Sequence, residues 1–545
     1  MMLVDLPRGN EILKLSDKAF KNMKNLRMLI IKDAIYSGIP QHLSNSLRVL
    51  IWSGYPSECL PLDFLNFPSD CLILNNFKNM ECLTTLDFTD CEYLTEVPDI
   101  SGISDLRILY LDNCINLIKI HDSVGFLGNL EVLAATGCTS LKVIPLAFKL
   151  ASLRVLSFSE CLRLARFPEI LCEIENLHYL NLWQTAIEEL PFSIGNIIGL
   201  ESLNLMECGR LDNLPSSLFT LPRLMEIQAD SCRRFDISVE GENHGQLKLT
   251  ASSNKVCLYL SSCNLTTEHL VTCLSGFANM VYLDISYNNF TVLPECIKEC
   301  VHLKTLQLSN CKQLQDILVV PPKLRDIDAL NCTSLTSQSS SVLLNQAFHA
   351  TGQKTVILPG STIPEWFDHY GSERSIIFWG RGRFPRICVC FSVGVLGHAL
   401  HRLQARLSII INGYRRMLSQ CCYNWSIETD HVWLFDLTAL VRHEDLTGTF
   451  VKSDWNRVEI EIERNGCILG EHGPTGIMAF VKCYGVHIYR HESKMEDISF
   501  SQPKNLLENN TNKRVGNEVL DSVKRQKRTW KQILSGIDSI PEDEQ

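Results

Sequence analysis

The phrase Leu177-His178-Tyr179-Leu180-Asn181-Leu182 places apolar residues at its first, fourth and sixth positions, and the same phrase returns along the chain. It opens at Leu83, Leu106, Leu130, Leu153, Leu177, Leu200 and Leu224, in steps of 23, 24, 23, 24, 23 and 24 residues. Earlier copies start at Leu26 and Leu47. After a polar interruption the pattern resumes at Leu258-Tyr259-Leu260, then at Met280, Leu303 and Leu324. Side chains alternate along a strand, so the three apolar positions point inward and the residues between them outward. In most copies a proline follows 14 or 15 residues after the opening (Pro98, Pro145, Pro168, Pro191 and Pro215). It lacks an N–H and fixes φ, which turns the chain out of the strand towards a short helical return such as Ser193-Ile194-Gly195-Asn196-Ile197.

One short strand per copy, at this period, is the signature of a leucine-rich repeat solenoid, with parallel strands forming a horseshoe. Beyond about Thr351 the period is gone. Short β-like runs follow, among them Ser375-Ile376-Ile377-Phe378-Trp379, 387–393, 407–412, His431-Val432-Trp433-Leu434-Phe435, 456–462 and 485–489, separated by turn signals such as Asn412-Gly413. Many short strands in one block predict an antiparallel β-sandwich of jelly-roll or Ig-like type. The expected fold is thus an α/β leucine-rich repeat solenoid followed by that sandwich. Its divisions are 1–25 as lead-in, 26–345 as repeats with an irregular insert at 233–255, 351–490 as the C-terminal domain, and 491–545 as a disordered charged tail. The stretch between Trp52 and Leu83 fits poorly, since Cys71-Leu72-Ile73-Leu74 is a weak copy.

Cysteine changes the picture next. Of 23 cysteines, nine sit eight residues after a repeat opening or its equivalent: Cys91, Cys114, Cys138, Cys161, Cys208, Cys232, Cys263, Cys311 and Cys332. Thr185 and Asn288 hold the same place in two copies. Cys, Thr and Asn are small hydrogen-bond donors, so the place reads as one where a buried side chain meets unpaired backbone carbonyls. A ladder of reduced thiols follows, not a disulfide or zinc framework. Cys296, Cys300 and His302 resemble a metal set, but a cysteine-containing turn within a repeat is the plainer reading.

Net charge is −10 over 545 residues, which argues against general nucleic-acid binding. No run of about 18 apolar residues suggests a membrane span, and the opening Met1-Met2-Leu3-Val4-Asp5 lacks the apolar core of a signal peptide. The expected location is cytoplasmic. Lys524, Arg525, Lys527 and Arg528 form a basic cluster that is either a nuclear import signal or the polar face of a short helix. No Ser/His/Asp or paired-carboxylate constellation converges, so no catalytic residue, metal site or cofactor site is assigned. Binding is expected on the concave face. Tyr110, Tyr179, Asn181, Trp183, Met206, Glu207, Tyr282 and Asp284 occupy its outward positions, and Tyr and Trp are the types most enriched at interface hot spots. The alternative is that these side chains only shield the sheet. Trp366 is either a ligand platform or a packed aromatic.

Three stretches carry a family resemblance. The first is Lys18-Ala19-Phe20-Lys21-Asn22-Met23-Lys24-Asn25 before Leu26-Arg27-Met28-Leu29. The second is the repeat block with cysteine at its ninth position. The third is Leu358-Pro359-Gly360-Ser361-Thr362-Ile363-Pro364-Glu365-Trp366-Phe367-Asp368, with Asp430-His431-Val432-Trp433-Leu434 and Val481-Lys482-Cys483-Tyr484-Gly485-Val486-His487. Together they resemble the C-terminal portion of plant intracellular immune receptors of the TIR-type nucleotide-binding leucine-rich repeat class, the third matching their jelly-roll/Ig-like domain after the repeats. The resemblance implies recognition of a pathogen effector or of a guarded host protein. It also implies partnership with a TIR and nucleotide-binding (NB-ARC) portion. No Gly-x-x-x-x-Gly-Lys-Ser/Thr loop occurs in this sequence, so ADP/ATP binding and NAD cleavage would belong to that other portion. The alternative is a truncated adaptor or decoy that binds host proteins and does not signal.

Overall fold

The computed structural model describes residues 1–5, 20–32, 43–53, 80–212, 214–233, 254–276, 279–345, 349, 354–372, 375–382, 384–395, 402–417, 423–437, 449–451, 454–465, 479–489 and 495–503. The weak copy at Cys71, almost all of the insert at 233–255 and the basic cluster at 524–528 lie outside them. The chain divides into two compact units. The first is residues 1–361 with 429–433, and the second is 362–428 with 434–545.

The first unit is built on one parallel ladder. It runs through Met2–Asp5, Met28–Lys32, Val49–Trp52, Thr85–Asp87, Ile108–Tyr110, Val132–Ala134, Val155–Ser157, Tyr179–Asn181, Ser202–Asn204, Glu226–Gln228, Val256–Tyr259, Met280–Asp284, Thr305–Gln307, Asp326–Asp328 and Thr355–Pro359. Its register aligns the fourth position of every repeat. Leu29, Leu133, Leu180 and Leu283 stand in one column that ends at Val356, and none of the column is more than 2% exposed. Burying each such side chain is worth about 1.5–3 kcal/mol, and only the period of the sequence makes them coincide.

Two differences from the sequence reading stand at the ends. The lead-in contributes its own strand, Met2–Asp5, paired with Met28–Lys32. Thr355–Pro359, assigned above to the second domain, continues the ladder beside Asp326–Asp328. Neither segment contains the repeat phrase, so periodicity alone could not place them. Residues 429–433 group with this unit: the His431 Nε2 accepts from the Asn331 N–H at 2.9 Å.

Behind the ladder the prolines divide: Pro145 and Pro168 lead into the short strands Ala147–Phe148 and Glu169–Ile170, and others open helical turns as expected. Pro191, Pro215 and Pro294 each stand immediately before a 3₁₀ turn, at Phe192–Asn196, Ser216–Thr220 and Glu295–Glu299. Short parallel pairs, such as Ala147–Phe148 with Glu169–Ile170, tie successive returns together.

All nine ladder cysteines are buried. Each donates its S–H to the carbonyl at the sixth position of the preceding repeat, at 3.0–3.2 Å. Cys161 to Ala135 is one example and Cys208 to Leu182 another. Burial pushes the Cys161 and Cys263 thiols up to about 12, which keeps them protonated as donors. Every cysteine among the described residues is free. Asn288 replaces the thiol with a larger set of bonds. Its Nδ2 donates to the Leu260, Ile285 and Ser286 carbonyls, and its Oδ1 accepts from the Cys263 and Leu265 N–H groups.

The second unit is antiparallel. Ala479–Ile488 pairs with His369–Gly371 and with Ile387–Val395. In a second sheet Asn456–Asn465 lies between Ser375–Gly380 and Arg402–Ile411, and Arg402–Ile411 also pairs with Tyr414–Met417 and Tyr423–Ser426. The alternating burial of Ser375–Gly380 turns Ile376 and Phe378 inward. Two antiparallel sheets with apolar inner faces agree with the expected sandwich. Trp366 is half-buried, edge-on to the His487 ring at 5.0 Å and close to Phe367 at 4.3 Å, so it is a packed aromatic.

Candidate protein-recognition face

The outward face of the ladder is made by the third and fifth positions of each repeat and by the seventh, at the turn beyond the strand. The fifth position often has a structural duty. Asp87, Asn181, Asn204, Asp284 and Asp328 each accept, on Oδ1, the N–H two residues on, at 2.9–3.2 Å. Such bonds bend the chain out of the strand. Two of the candidates, Asn181 and Asp284, are therefore also turn-formers.

The eighth position is left-handed in every described repeat from Leu83 onward. Asp90, Asn113, Gly137, Glu160, Gln184, Glu207, Ser231, Ser262, Tyr287, Asn310 and Asn331 all have φ between 55° and 73°. Only glycine and, to a lesser degree, Asn and Asp adopt this conformation readily. Glu207 is one of this series. It stands at the turn beyond the strand, and its Oε2 accepts from Gln184 Nε2 at 2.7 Å.

The ladder separates the candidates into three places. Tyr110 is half-buried on Ile108–Tyr110, three strands from Tyr179. Tyr179, Asn181, Trp183, Met206 and Glu207 come together on two adjacent repeats, where Asn204 Nδ2 donates to the Tyr179 hydroxyl at 3.3 Å. Tyr179 is 47% exposed, and Trp183 and Met206 are half-buried. Tyr282 and Asp284 lie three strands further on than Ser202–Asn204.

Tyr282 there faces Tyr259, with ring centroids 4.9 Å apart and planes tilted by 36°. Sequence reading missed Tyr259 as a partner because the insert at 233–255 breaks the count between Leu224 and the next copy. Around the pair, the register places Glu226 beside Cys257, Tyr259 beside Asp284, and Asp328 two strands beyond Asp284. Burial raises the Asp284 carboxyl above its ordinary range, and the neighbouring Asp230 charge adds to this. Burial pushes Asp328 up to about 6, with Asp284 contributing. The Tyr282 hydroxyl is raised by burial and by Asp284.

Residues 149–350 match the family model described as leucine-rich repeats of disease resistance proteins like RPS4B. These residues are leucine-rich repeats, and they are similar to those of disease resistance proteins. The chain is similar to the disease resistance-like protein DSC1 of Arabidopsis thaliana, with 32% identity covering 59% of this chain and 31% of that protein. The TMV resistance protein N of Nicotiana glutinosa is 26% identical, over 58% of this chain and 32% of its own length. Disease resistance protein RML1B of Arabidopsis thaliana is 30% identical, over 69% and 34%. The chain therefore spans about a third of the length of these relatives. Among solved structures, a leucine-rich repeat protein of Leptospira interrogans overlaps 63% of this chain and 98% of its own at 16% identity, with a TM-score of 0.25. Among the described residues no helix is long and apolar enough to cross a membrane.

Proposed function

We propose that this chain is the protein-recognition part of a plant intracellular immune receptor. Its ladder would take a pathogen effector, or a host protein under guard, on the outward face. One observation carries the reading: repeats similar to those of disease resistance proteins present half-exposed Tyr179, Trp183 and Met206 together on two adjacent turns. Large aromatic side chains held on a rigid sheet bind a protein surface at low cost in conformational freedom. In a full-length receptor, a TIR and NB-ARC portion carrying ADP or ATP would be restrained by the repeats. A ligand that binds the released state more tightly than the restrained one shifts that population.

A photo-crosslinking side chain placed at Tyr179 in the plant-expressed chain tests this. An adduct with one protein species is expected during pathogen challenge, with none from the same side chain at exposed Leu171, which lies outside the outward face. Equal adducts at both positions would contradict the reading. Tyr179→Ala with Trp183→Ala should abolish capture by a crosslinker at Met206 without lowering the melting temperature by more than a few degrees. Nuclear entry through Lys524, Arg525, Lys527 and Arg528 is part of the same proposal. Imaging a tagged chain with all four changed to Gln should show the nuclear signal lost, and an unchanged signal would dismiss it.

A further inference from the structure

On the strands from Glu226–Gln228 to Asp326–Asp328 the outward face holds two kinds of group together. The tilted Tyr259–Tyr282 pair is one, and the carboxylates Glu226, Asp230, Asp284 and Asp328 are the other. None of these four carboxylates forms an ion pair among the described residues. Their partners are neutral. Asp230 Oδ1 accepts from the Ser261 N–H and hydroxyl at 2.8 and 2.7 Å, and Asp284 and Asp328 accept from backbone N–H groups. Among the described bases on these repeats, Lys255, Lys304 and Arg325 stand exposed, the last two at the second position and off the outward rows, and buried Lys354 donates to the Leu324 carbonyl and acts on Asp326. Successive strands lie about 4.8 Å apart, so Tyr259, Asp284 and Asp328, on the first, second and fourth of four strands, span about 14 Å, the reach of two long side chains.

Like charges are gathered here at half-buried positions, and among the described residues no cation pairs with them. Asp284 and Asp328 need only one oxygen for the turn, a duty Asn181 and Asn204 perform without charge in the same row. The charge is thus not required by the backbone. A ring pair with carboxylates at its edge is a site for a guanidinium or ammonium, attracted to the faces of the rings and bonded by the carboxylates.

We propose that this part of the ladder receives an arginine- or lysine-bearing segment of a protein partner, its cationic side chains lying on Tyr259 and Tyr282 and against Asp230, Asp284 and Asp328. This rests on the recognition function proposed above and names the chemistry of the ligand. Arginine is favoured over lysine, because its planar head both stacks on a ring and bonds a carboxylate in two places.

The test is fluorescence anisotropy of labelled hexa-arginine against the full chain. The wild type should bind it, and the affinity should fall as salt rises. Asp284→Asn with Asp328→Asn keeps the turn acceptors and should weaken binding roughly tenfold. Tyr259→Leu with Tyr282→Leu keeps apolar bulk and should weaken it about threefold. Hexa-lysine should bind more weakly than hexa-arginine. Unchanged affinity in both double variants, or no binding by the wild type, overturns the proposal. Binding that emerges only when Lys524, Arg525, Lys527 and Arg528 are changed to Gln would make the chain's own tail the occupant, and also overturns it. Crosslinking at Tyr179 without hexa-arginine binding would leave the recognition function standing and remove only the cationic chemistry.

Discussion

Glu131 and Asp284 are both acids on the same ladder, six strands apart in the ladder's middle and later parts, and their surroundings differ. Glu131 sits between Arg107 at 3.1 Å and Arg154 at 3.6 Å, and in the same part of the ladder His178 lies 3.3 Å from Glu201. The outward fifth positions there are neutral: Ala134, Ser157, Asn181 and Asn204. From Val256 onward that row becomes Tyr259, Asp284, Gln307 and Asp328, and its acids have only neutral partners. A smaller version recurs near the start, where Asp87 raises Asp112 further after burial has done so. Both regions share one inward frame. The frame is dictated by stacking, and the outward face is free to carry charge that stacking would not choose. Charge that the fold does not use is the better guide to a site than aromatic content alone.

The largest effects are expected from substitutions in the inward frame. Asn288→Ala removes five hydrogen bonds in the later part and leaves buried carbonyls unpaired, so a loss of about 3 kcal/mol is expected in urea unfolding. Cys161→Ala, the equivalent change in the regular part, strands one carbonyl and leaves a small cavity, for about 2 kcal/mol. Equal losses would mean that Asn288 is only a spacer.

The outward face should respond with the opposite sign. The folded Asp328 carboxyl titrates at about 6 against an ordinary 3.8, so the folded state holds its proton more tightly than the unfolded one. The resulting penalty is absent below pH 3.8, grows as pH rises to about 6 and is complete above. Asp328→Asn is therefore expected to stabilise the chain by about 1 kcal/mol at pH 7.5, allowing for solvent screening, and to leave stability unchanged below pH 3.8. Urea midpoints at several pH values would show it. Glu131→Gln, in the paired region, should cost no more than about 0.5 kcal/mol, because its arginines are more than half exposed.

The inward frame was legible because it repeats. The Leu column follows from the period, and the place of Cys91 to Cys332 eight residues after each opening already suggested a donor facing backbone carbonyls. The left-handed eighth position was not legible: its occupants range from Gly137 to Glu207 and Tyr287, and the backbone bonds of the turn, not the residue type, impose the conformation. Tyr259 was hidden by the insert, since pairing it with Tyr282 needs the register that only the ladder provides. Met2–Asp5 and Thr355–Pro359 escaped for the same reason, as strands recruited by an exposed edge.

The most direct measurement is thermal unfolding of the wild type and of the Asp284→Asn/Asp328→Asn variant at pH 7.5, each with and without saturating hexa-arginine. The variant should melt higher alone, and the peptide should raise the melting temperature of the wild type but not of the variant, because a ligand stabilises only the folded state that binds it. A variant that melts lower, or one whose rise with peptide matches the wild type, would contradict the claim that these carboxylates are held for a cationic partner.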